Sequence, residues 1–407
     1  MGNTLNIRFK GFTDDWEQRK LDDEVGFYSG LTYTPTDIVE NGGTLVLRSS
    51  NVKNNEIVMD DNVYVNSEVV NSENVQVGDI AVVVRNGSRT LIGKHAKIKE
   101  NMPFTVIGAF MMGIRSEHSA FINALLSTQL FDKEIEKNMG ATINQITGGM
   151  FKSMEFFFQK DAEQELIGKY FENLDNLITL HQRKCDETKE VKKFMLQKMF
   201  PKKGEKKPEI RFAGFTDDWE QRKLGEILEE RVNKTSDFEN NPLYSLTIEN
   251  GITPKTDRYE REFLVKKEEK LFKIVKPGEF VTNPMNLRFG AVGYNTNGFN
   301  VSVSGYYDMF SIDDNKCSSF WNSYFKTPTI LKKFDIVATG SLIEKRRVKY
   351  STLKSLDFLM PATLDEKMLI AQYFTQLDNL ITLHQHKCDE IKEIKKFMLQ
   401  NMFPQKG

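Results

Sequence analysis

Two loops of this chain carry residue types that can read nucleic-acid bases. "RNGSR" sets Arg85, Asn86 and Arg89 close together with Lys94 just beyond, and "NPMNLR" does the same with Asn283, Asn286 and Arg288. A third basic stretch, "EKRRVKY" at 344–350, adds Lys345, Arg346 and Arg347. A guanidinium matches the paired acceptors of guanine, and a carboxamide matches the donor–acceptor edge of adenine. The same residues are also ordinary in exposed turns, so spacing alone leaves both readings open.

Catalytic chemistry has no such foothold. "GSRTLIGKH" at 87–95 resembles a phosphate loop, but it has five residues between its glycines rather than four, and His95 stands where Ser or Thr would bind magnesium. "NPLY" at 241–244 lacks the second proline of an amino-methyltransferase motif and any glycine-rich cofactor loop upstream. No nucleophile elbow, HExxH or cysteine–histidine set is present. The expectation is no catalytic residue in this chain. The cysteines Cys185, Cys317 and Cys388 fit neither a disulfide framework nor zinc spacing, which points to reduced thiols and a cytoplasmic location. His181 and His384 have no carboxylate or cysteine cluster repeated beside them, so packed helix histidines are expected and no metal site.

The whole-chain charge decides little. Lys and Arg number 56 against 57 Asp and Glu, a net −1, which argues weakly against a wholesale polyanion binder but leaves room for a local basic face. A length of 407 residues with 39% hydrophobic and 11% aromatic content allows two to four domains with true cores. No apolar run approaches the ~18 residues of a membrane span. "TVIGAFMMGI" at 105–114 is too short for one and reads as a buried strand or helix. The start "MGNTLNIRFKGF" has no apolar signal core, and its Met-Gly lacks the Ser or Thr that myristoylation wants at position six.

The elements that must position the loops are written twice. "RFKGFTDDWEQRKL" at 8–21 returns as "RFAGFTDDWEQRKL" at 211–224, an offset of 211 − 8 = 203. The long tail from Tyr170 returns from Tyr373, again offset by 203, so two copies tile the chain. Between the shared blocks the halves diverge, with no residue-by-residue match visible. Each divergent segment holds a strand–turn–strand pattern, 78–98 in the first and 277–295 in the second, with the Arg- and Asn-bearing loop at its turn.

The tails read as helices from about 163 to 199 and over the equivalent second stretch. Phe171, Leu174, Ile178, His181 and Cys185 follow 3-4 spacing, and Phe374, Leu377, Ile381, His384 and Cys388 repeat it. The stripe is expected to continue through Val191 and Met195, and through Ile394 and Met398. Asp161 with Gln164, and Thr363 with Glu366, are the expected caps. Pro201 and Pro404 should stop the helices. A single apolar stripe needs a partner. Two copies closing about a pseudo-two-fold axis would set the helices antiparallel, place the globules at opposite ends of a rod and bring residue 1 near residue 407.

This layout resembles the specificity (S, HsdS) subunit of type I restriction-modification enzymes. The likeness rests on the twice-written "GFTDDWEQRKL", the junctions "FKSMEF" (151–156) and "LKSLDF" (353–358), and the twin "LDNLITLHQ" helices ending in Met-Phe-Pro. It implies an α+β fold in which two divergent target-recognition domains are joined by two long antiparallel coiled-coil helices. The divisions would be 1–158 for the first recognition domain, 159–203 for its spacer helix, 204–358 for the second domain and 359–407 for its helix. It implies partners: double-stranded DNA, two modification subunits and, in the full complex, restriction subunits, with no membrane. It places S-adenosylmethionine, ATP and magnesium in those subunits and no cofactor here. The first junction departs from the pattern, having no proline to match Pro361, which leaves the approach angle of its helix open. A solitary enzyme would need a cofactor loop or acidic cluster that is missing. A duplicated coiled-coil adaptor for protein rather than DNA is the alternative that predicts the same helices.

Overall fold

The computed structural model describes residues 7–139, 144–255, 272–312, 316–342 and 345–404. It divides into two compact units, Met1–Gln182 with His386–Gly407, and Arg183–Gln385. No helix among the described residues is long and apolar enough to cross a membrane.

In the first unit, β1 (Glu17–Lys20), β2 (Gly26–Ser29), β3 (Ile38–Val39), β4 (Thr44–Leu47), β5 (Val52–Lys53), β6 (Glu56–Ile57) and β7 (Val63–Val65) lead to the apolar strand β8 (Ile80–Val83). After it come β9 (His95–Lys97), β10 (Thr105–Ile107) and β11 (Met111–Arg115). "TVIGAFMMGI" is therefore a pair of buried strands. Helices α1 (Ser119–Leu126), α2 (Gln129–Asn138) and α3 (Gly148–Lys152) follow, and β12 (Glu155–Phe158) feeds the long helix α4 (Asp161–Lys198). Every residue of β8 is buried, which is why it reads as a continuous apolar run rather than an alternation. It lies inside an antiparallel sheet of order β2-β11-β8-β9.

The second unit holds β13 (Glu220–Lys223), β14 (Leu228–Glu230), β15 (Lys234–Thr235), β16 (Tyr244–Thr247), β17 (Gly251–Pro254), β18 (Phe272–Val275) and β19 (Phe280–Thr282). Then come β20 (Val292–Tyr294), β21 (Val301–Val303), β22 (Asp308–Ile312), α5 (Ser318–Phe325), α6 (Pro328–Val337), α7 (Tyr350–Ser355), β23 (Asp357–Met360) and α8 (Leu364–Asn401). Its main sheet, β14-β22-β19-β20, keeps the strand order of the first unit. The inserts thus share an architecture that their sequences hide. In the second sheet β10 runs parallel to β4, and Thr105 O accepts from Val75 N. Its counterpart β21 pairs antiparallel with β18 and makes a parallel bridge from Ser302 to Leu243 at the entry to β16.

The repeated blocks are the joints. "EQRK" forms β1 and β13, which pair antiparallel with the junction strands β12 and β23. Trp16 and Trp219 fill the space behind those strands. Trp16 packs on Phe121 and Phe403, and Trp219 on Phe200, Phe320 and Tyr324. The phenylalanine-rich composition is spent in these two cores. Phe200 and Phe403, of the Met-Phe-Pro stops, are buried anchors rather than mere terminators.

Within each unit one half of α4 lies against one half of α8. In the first, Phe171 meets Phe403 and Asp175 pairs with Lys395, so one helix rises in number as the other falls. In the second, Phe374 meets Phe200 and Asp378 pairs with Lys192. The pairing is antiparallel, as the duplication requires. Phe171, Cys185, Phe374, Leu377 and Cys388 are buried, and Leu174, Ile178, His181, Ile381 and His384 are partly buried. The expected continuation fails at Val191 and Ile394, which are exposed. The next residues, Lys192 and Lys395, turn inward to the aspartates instead. The alternation itself explains this: from Cys185 it steps by three to Thr188 and by four to Lys192, and from Cys388 to Ile391 and Lys395. Val191 and Ile394 therefore lie one residue short of the seam, while Met195 and Met398, three residues beyond the lysines, are partly buried and pack on the cores.

The caps divide. Thr363 Oγ1 accepts from Glu366 N at 3.4 Å, as expected. Asp161 is exposed and lies inside the helix, so the expected cap there is not formed. The first-turn donors Glu163 N and Gln164 N go to the Lys160 carbonyl instead. The buried Gln159 braces the junction, its backbone carbonyl accepting from Gln164 Nε2 at 2.7 Å and its side-chain Nε2 donating to Asp14 O at 2.8 Å. That side chain fixes the first helix's approach where the second has Pro361. The meeting of residues 1 and 407 lies outside the described residues. Within them, Ile7 N donates to Asn401 O at 3.1 Å.

Candidate nucleic-acid interface

The first candidate loop leaves β8 at its carboxyl end and returns as β9, with Val82 opposite His95. Val84 N and Arg85 N both donate to the Phe110 carbonyl, at 3.0 and 3.2 Å. The Arg85 guanidinium lies over the Phe110 ring, 5.0 Å from its centroid. Asn86 is occupied in building the loop. Its Oδ1 accepts from Ser88 N at 2.9 Å, an Asx turn, and its Nδ2 donates to Ser49 Oγ at 2.8 Å. Arg85, Arg89 and Lys94 are exposed and make no side-chain hydrogen bond or ion pair among the described residues.

Sequence spacing missed three contributors here. Asn144 Nδ2 donates to Gly87 O at 2.9 Å, Gln145 bridges Arg85 through the backbone, and Ser49 arrives from the end of β4. They come from segments far apart in the chain, and no local signal ties them to the loop.

The second loop joins β19 to β20. Asn283 Oδ1 accepts from Met285 N at 3.1 Å, and Gly290, at φ +91°, closes the turn in a conformation that suits glycine. The structure brings the third basic stretch to this loop: Val348 N donates to Pro284 O at 2.9 Å, and Arg347 pairs through its backbone with Thr339. Glu344 lies outside the described residues. The cations then divide by task. Arg288 Nη1 donates to Asp335 Oδ1 at 3.0 Å and its guanidinium lies 4.3 Å from the Phe289 ring centroid. Arg346 donates to the Ala338 carbonyl at 3.1 and 3.2 Å and reaches the Asp335 carbonyl at 2.5 Å, capping the carboxyl end of α6. Arg288 and Arg346 therefore hold the loop, whereas Asn286, Lys345 and Arg347 face solvent.

Each unit thus offers an exposed turn bearing cations and amides at the end of a rigid antiparallel hairpin. Such a surface can contact phosphates through its cations and base edges through Arg and Asn. No grouping of His, Cys, Asp or Glu among the described residues could hold a metal ion.

A family model described as the type I restriction modification DNA specificity domain matches residues 13–190 and again 216–393. Among solved structures, the chain is similar to the S subunit of a type I restriction-modification system from M. genitalium, with a TM-score of 0.68 and 13% identity over 99% of this chain and 100% of that one. The HsdS subunit from Thermoanaerobacter tengcongensis matches at a TM-score of 0.39 and 13% identity, over 96% of each chain. Among curated proteins, none matches.

Proposed function

Because the chain belongs to the type I restriction-modification DNA specificity family, we propose that each compact unit reads one half of a split double-stranded DNA target while the repeated helices set the gap between the halves. The observation that carries this is the contrast within each copy. A repeated frame of clamped joints and helices holds inserts that diverge where the Arg- and Asn-bearing turns emerge. In this reading Arg85, Arg89, Lys94, Asn286, Lys345 and Arg347 meet DNA directly, and Asn86, Asn283, Arg288 and Arg346 shape the loops that do so. The boundaries 1–158, 159–203, 204–358 and 359–407 then describe reader, spacer, reader, spacer.

The chain is non-catalytic and cytoplasmic in this proposal. Two modification subunits bring S-adenosylmethionine, and restriction subunits bring ATP and magnesium. Two copies of one partner fit a repeated feature of the helices. Leu177, Ile394 and Phe397 are exposed in the first unit, and their equivalents at an offset of 203, Leu380, Val191 and Phe194, are exposed in the second.

The test is methylation mapping of DNA from cells carrying this chain with its modification partner. Exchanging residues 22–150 for the matching segment of a relative should change one half-site and keep the other. Joint change of both would refute separate readers. DNA binding that ignores sequence would favour the protein-binding adaptor, and methyl transfer by the purified chain alone would refute the non-catalytic role.

A further inference from the structure

In each unit one connection leaves an aromatic ring in solvent beside the candidate base-reading turn. β10 passes into β11 through Gly108–Ala109–Phe110, and β21 passes into β22 through Ser304–Gly305–Tyr306–Tyr307. β11 and β22 hold the same position in the main sheets, and β8 and β19 lie next to them. Met111 pairs with Val83 and Asp308 with Thr282, so the connections stand beside the first residues after β8 and β19, which are Val84–Arg85 and Asn283. Phe110 is 52% exposed and Tyr306 is 50% exposed.

A single exposed apolar side chain is ordinary on a protein surface. One in the matching connection of two units whose sequences have diverged is not, even though Tyr306 stands one residue ahead of the partly buried Tyr307 that answers to Phe110 in register. Both connections are also pinned. The Phe110 carbonyl takes two backbone donors, and a Cβ on Gly30 would lie 2.0 Å from the Gly108 oxygen, so the backbones there are in close contact. The Tyr307 carbonyl accepts from Lys273 Nζ at 2.5 Å, and Tyr307 N donates to Ser304 O at 3.2 Å. The rings are presented by rigid turns rather than by loose loops.

We propose that Phe110 and Tyr306 are paired specificity residues, one per half-site, each laying its ring against a base edge in the DNA groove. Phe110 is in addition a positioning residue that holds the Arg85 guanidinium beside that contact. An apolar ring suits the thymine methyl in the major groove, and a guanidinium braced on a ring is already ordered before DNA arrives. This rests on the half-site reading above.

The experiment uses the full chain with its modification partner in cells, comparing methylomes of wild type, Phe110→Ala, Phe110→Trp, Tyr306→Ala and Tyr306→Phe. Phe104→Ala is the control, removing a 69% exposed ring from the opposite end of β10. Phe110→Ala should relax one position of one half-site by at least about five-fold, the low end for a single base contact, and leave the other half-site intact. Tyr306→Ala should do the mirror image. Phe110→Trp and Tyr306→Phe, which keep a ring, should retain the wild-type motif. Should a variant give no methylation, the purified complex is titrated with the wild-type motif duplex and a scrambled duplex. Loss confined to the motif supports the proposal, and equal loss on both overturns it. An unchanged motif in Phe110→Ala and Tyr306→Ala, or the same relaxation in Phe104→Ala, also overturns it. A wild-type complex that marks no split motif would instead sink the half-site reading itself.

Discussion

Arg211 grips both carboxylate oxygens of Glu366, Nε to Oε1 at 2.6 Å and Nη2 to Oε2 at 2.8 Å, across 155 residues of chain. Arg8 grips Glu163 in the same way, at 2.8 Å to each oxygen. The pairs are repeat equivalents, since 8 + 203 = 211 and 163 + 203 = 366. The opening block of each copy is thereby locked to the first turn of that copy's long helix. Trp219 Nε1 also donates to Glu366, at 3.3 Å. Part of the reason the fourteen-residue block is written twice is internal, because each copy needs its own clamp.

Breaking that clamp should cost stability. Glu366 is fully buried, and removing one partner of a buried pair leaves the other charge uncompensated, at about 3–5 kcal/mol. Arg211→Ala or Glu366→Gln should lower the thermal unfolding temperature sharply, and the double replacement Arg211→Met with Glu366→Leu should recover part of the loss. A Glu366→Gln protein that melts like wild type would show that the clamp is ornamental.

Acid should weaken the first unit through His95. Its ring is buried between the Gly93 carbonyl (3.0 Å) and the Ser127 hydroxyl (3.1 Å), near the Asp175–Lys395 pair, and burial holds its pKa below the ordinary 6.5. Below pH 6.5 the unfolded chain takes up a proton that the folded chain refuses. Stability therefore falls as pH drops, by up to about 1.4 kcal/mol per unit, until the folded pKa is reached. His95→Gln should flatten that part of the stability–pH curve. The same slope in mutant and wild type would remove His95 as its cause.

Arg346 and Arg347 are neighbours with opposite expected phenotypes. Arg346→Ala uncaps α6 and should lower the unfolding temperature. Arg347→Ala should leave unfolding unchanged while weakening DNA binding by the assembled complex and reducing its salt dependence by roughly one phosphate contact. Titrations at several salt concentrations would separate them, and an Arg347→Ala complex with the wild-type salt slope would take that residue off the DNA.

Lengthening a helix should lengthen the unread gap. Four residues inserted before Pro201 add one turn plus about 40° and roughly 6 Å of rise. DNA advances about 3.4 Å per base pair, so the favoured spacer should grow by one or two base pairs with both half-sites preserved. The slipped seam should also lower stability. Methylome mapping of an active insertion mutant that kept the wild-type spacer would show that the helices are not the ruler.

The duplication, the helical tails and their stops, and the hairpins carrying Arg85 and Asn283 were legible in the residues alone. Repeats, 3-4 apolar spacing and turn chemistry are all local patterns, and local backbone preference is enough to express them. What the sequence could not carry was set by groups distant in the chain. Val191 looks like the next apolar residue of the stripe, yet the 3-4 spacing after Thr188 falls on Lys192, which turns inward because Asp378, far away in the chain, lies across the seam. Asp161 looks like a cap, yet it lies inside the helix, and the junction is held instead by Gln159, whose side chain reaches the distant Asp14 carbonyl. Arg288 and Arg346 look like free cations, yet Asp335 and the end of α6 bind them. Phe110 and Tyr306 carry no motif at all. Only the shared order of strands in two diverged sheets places their rings beside the turns, because pairing register, unlike local propensity, exists only once the chain has folded.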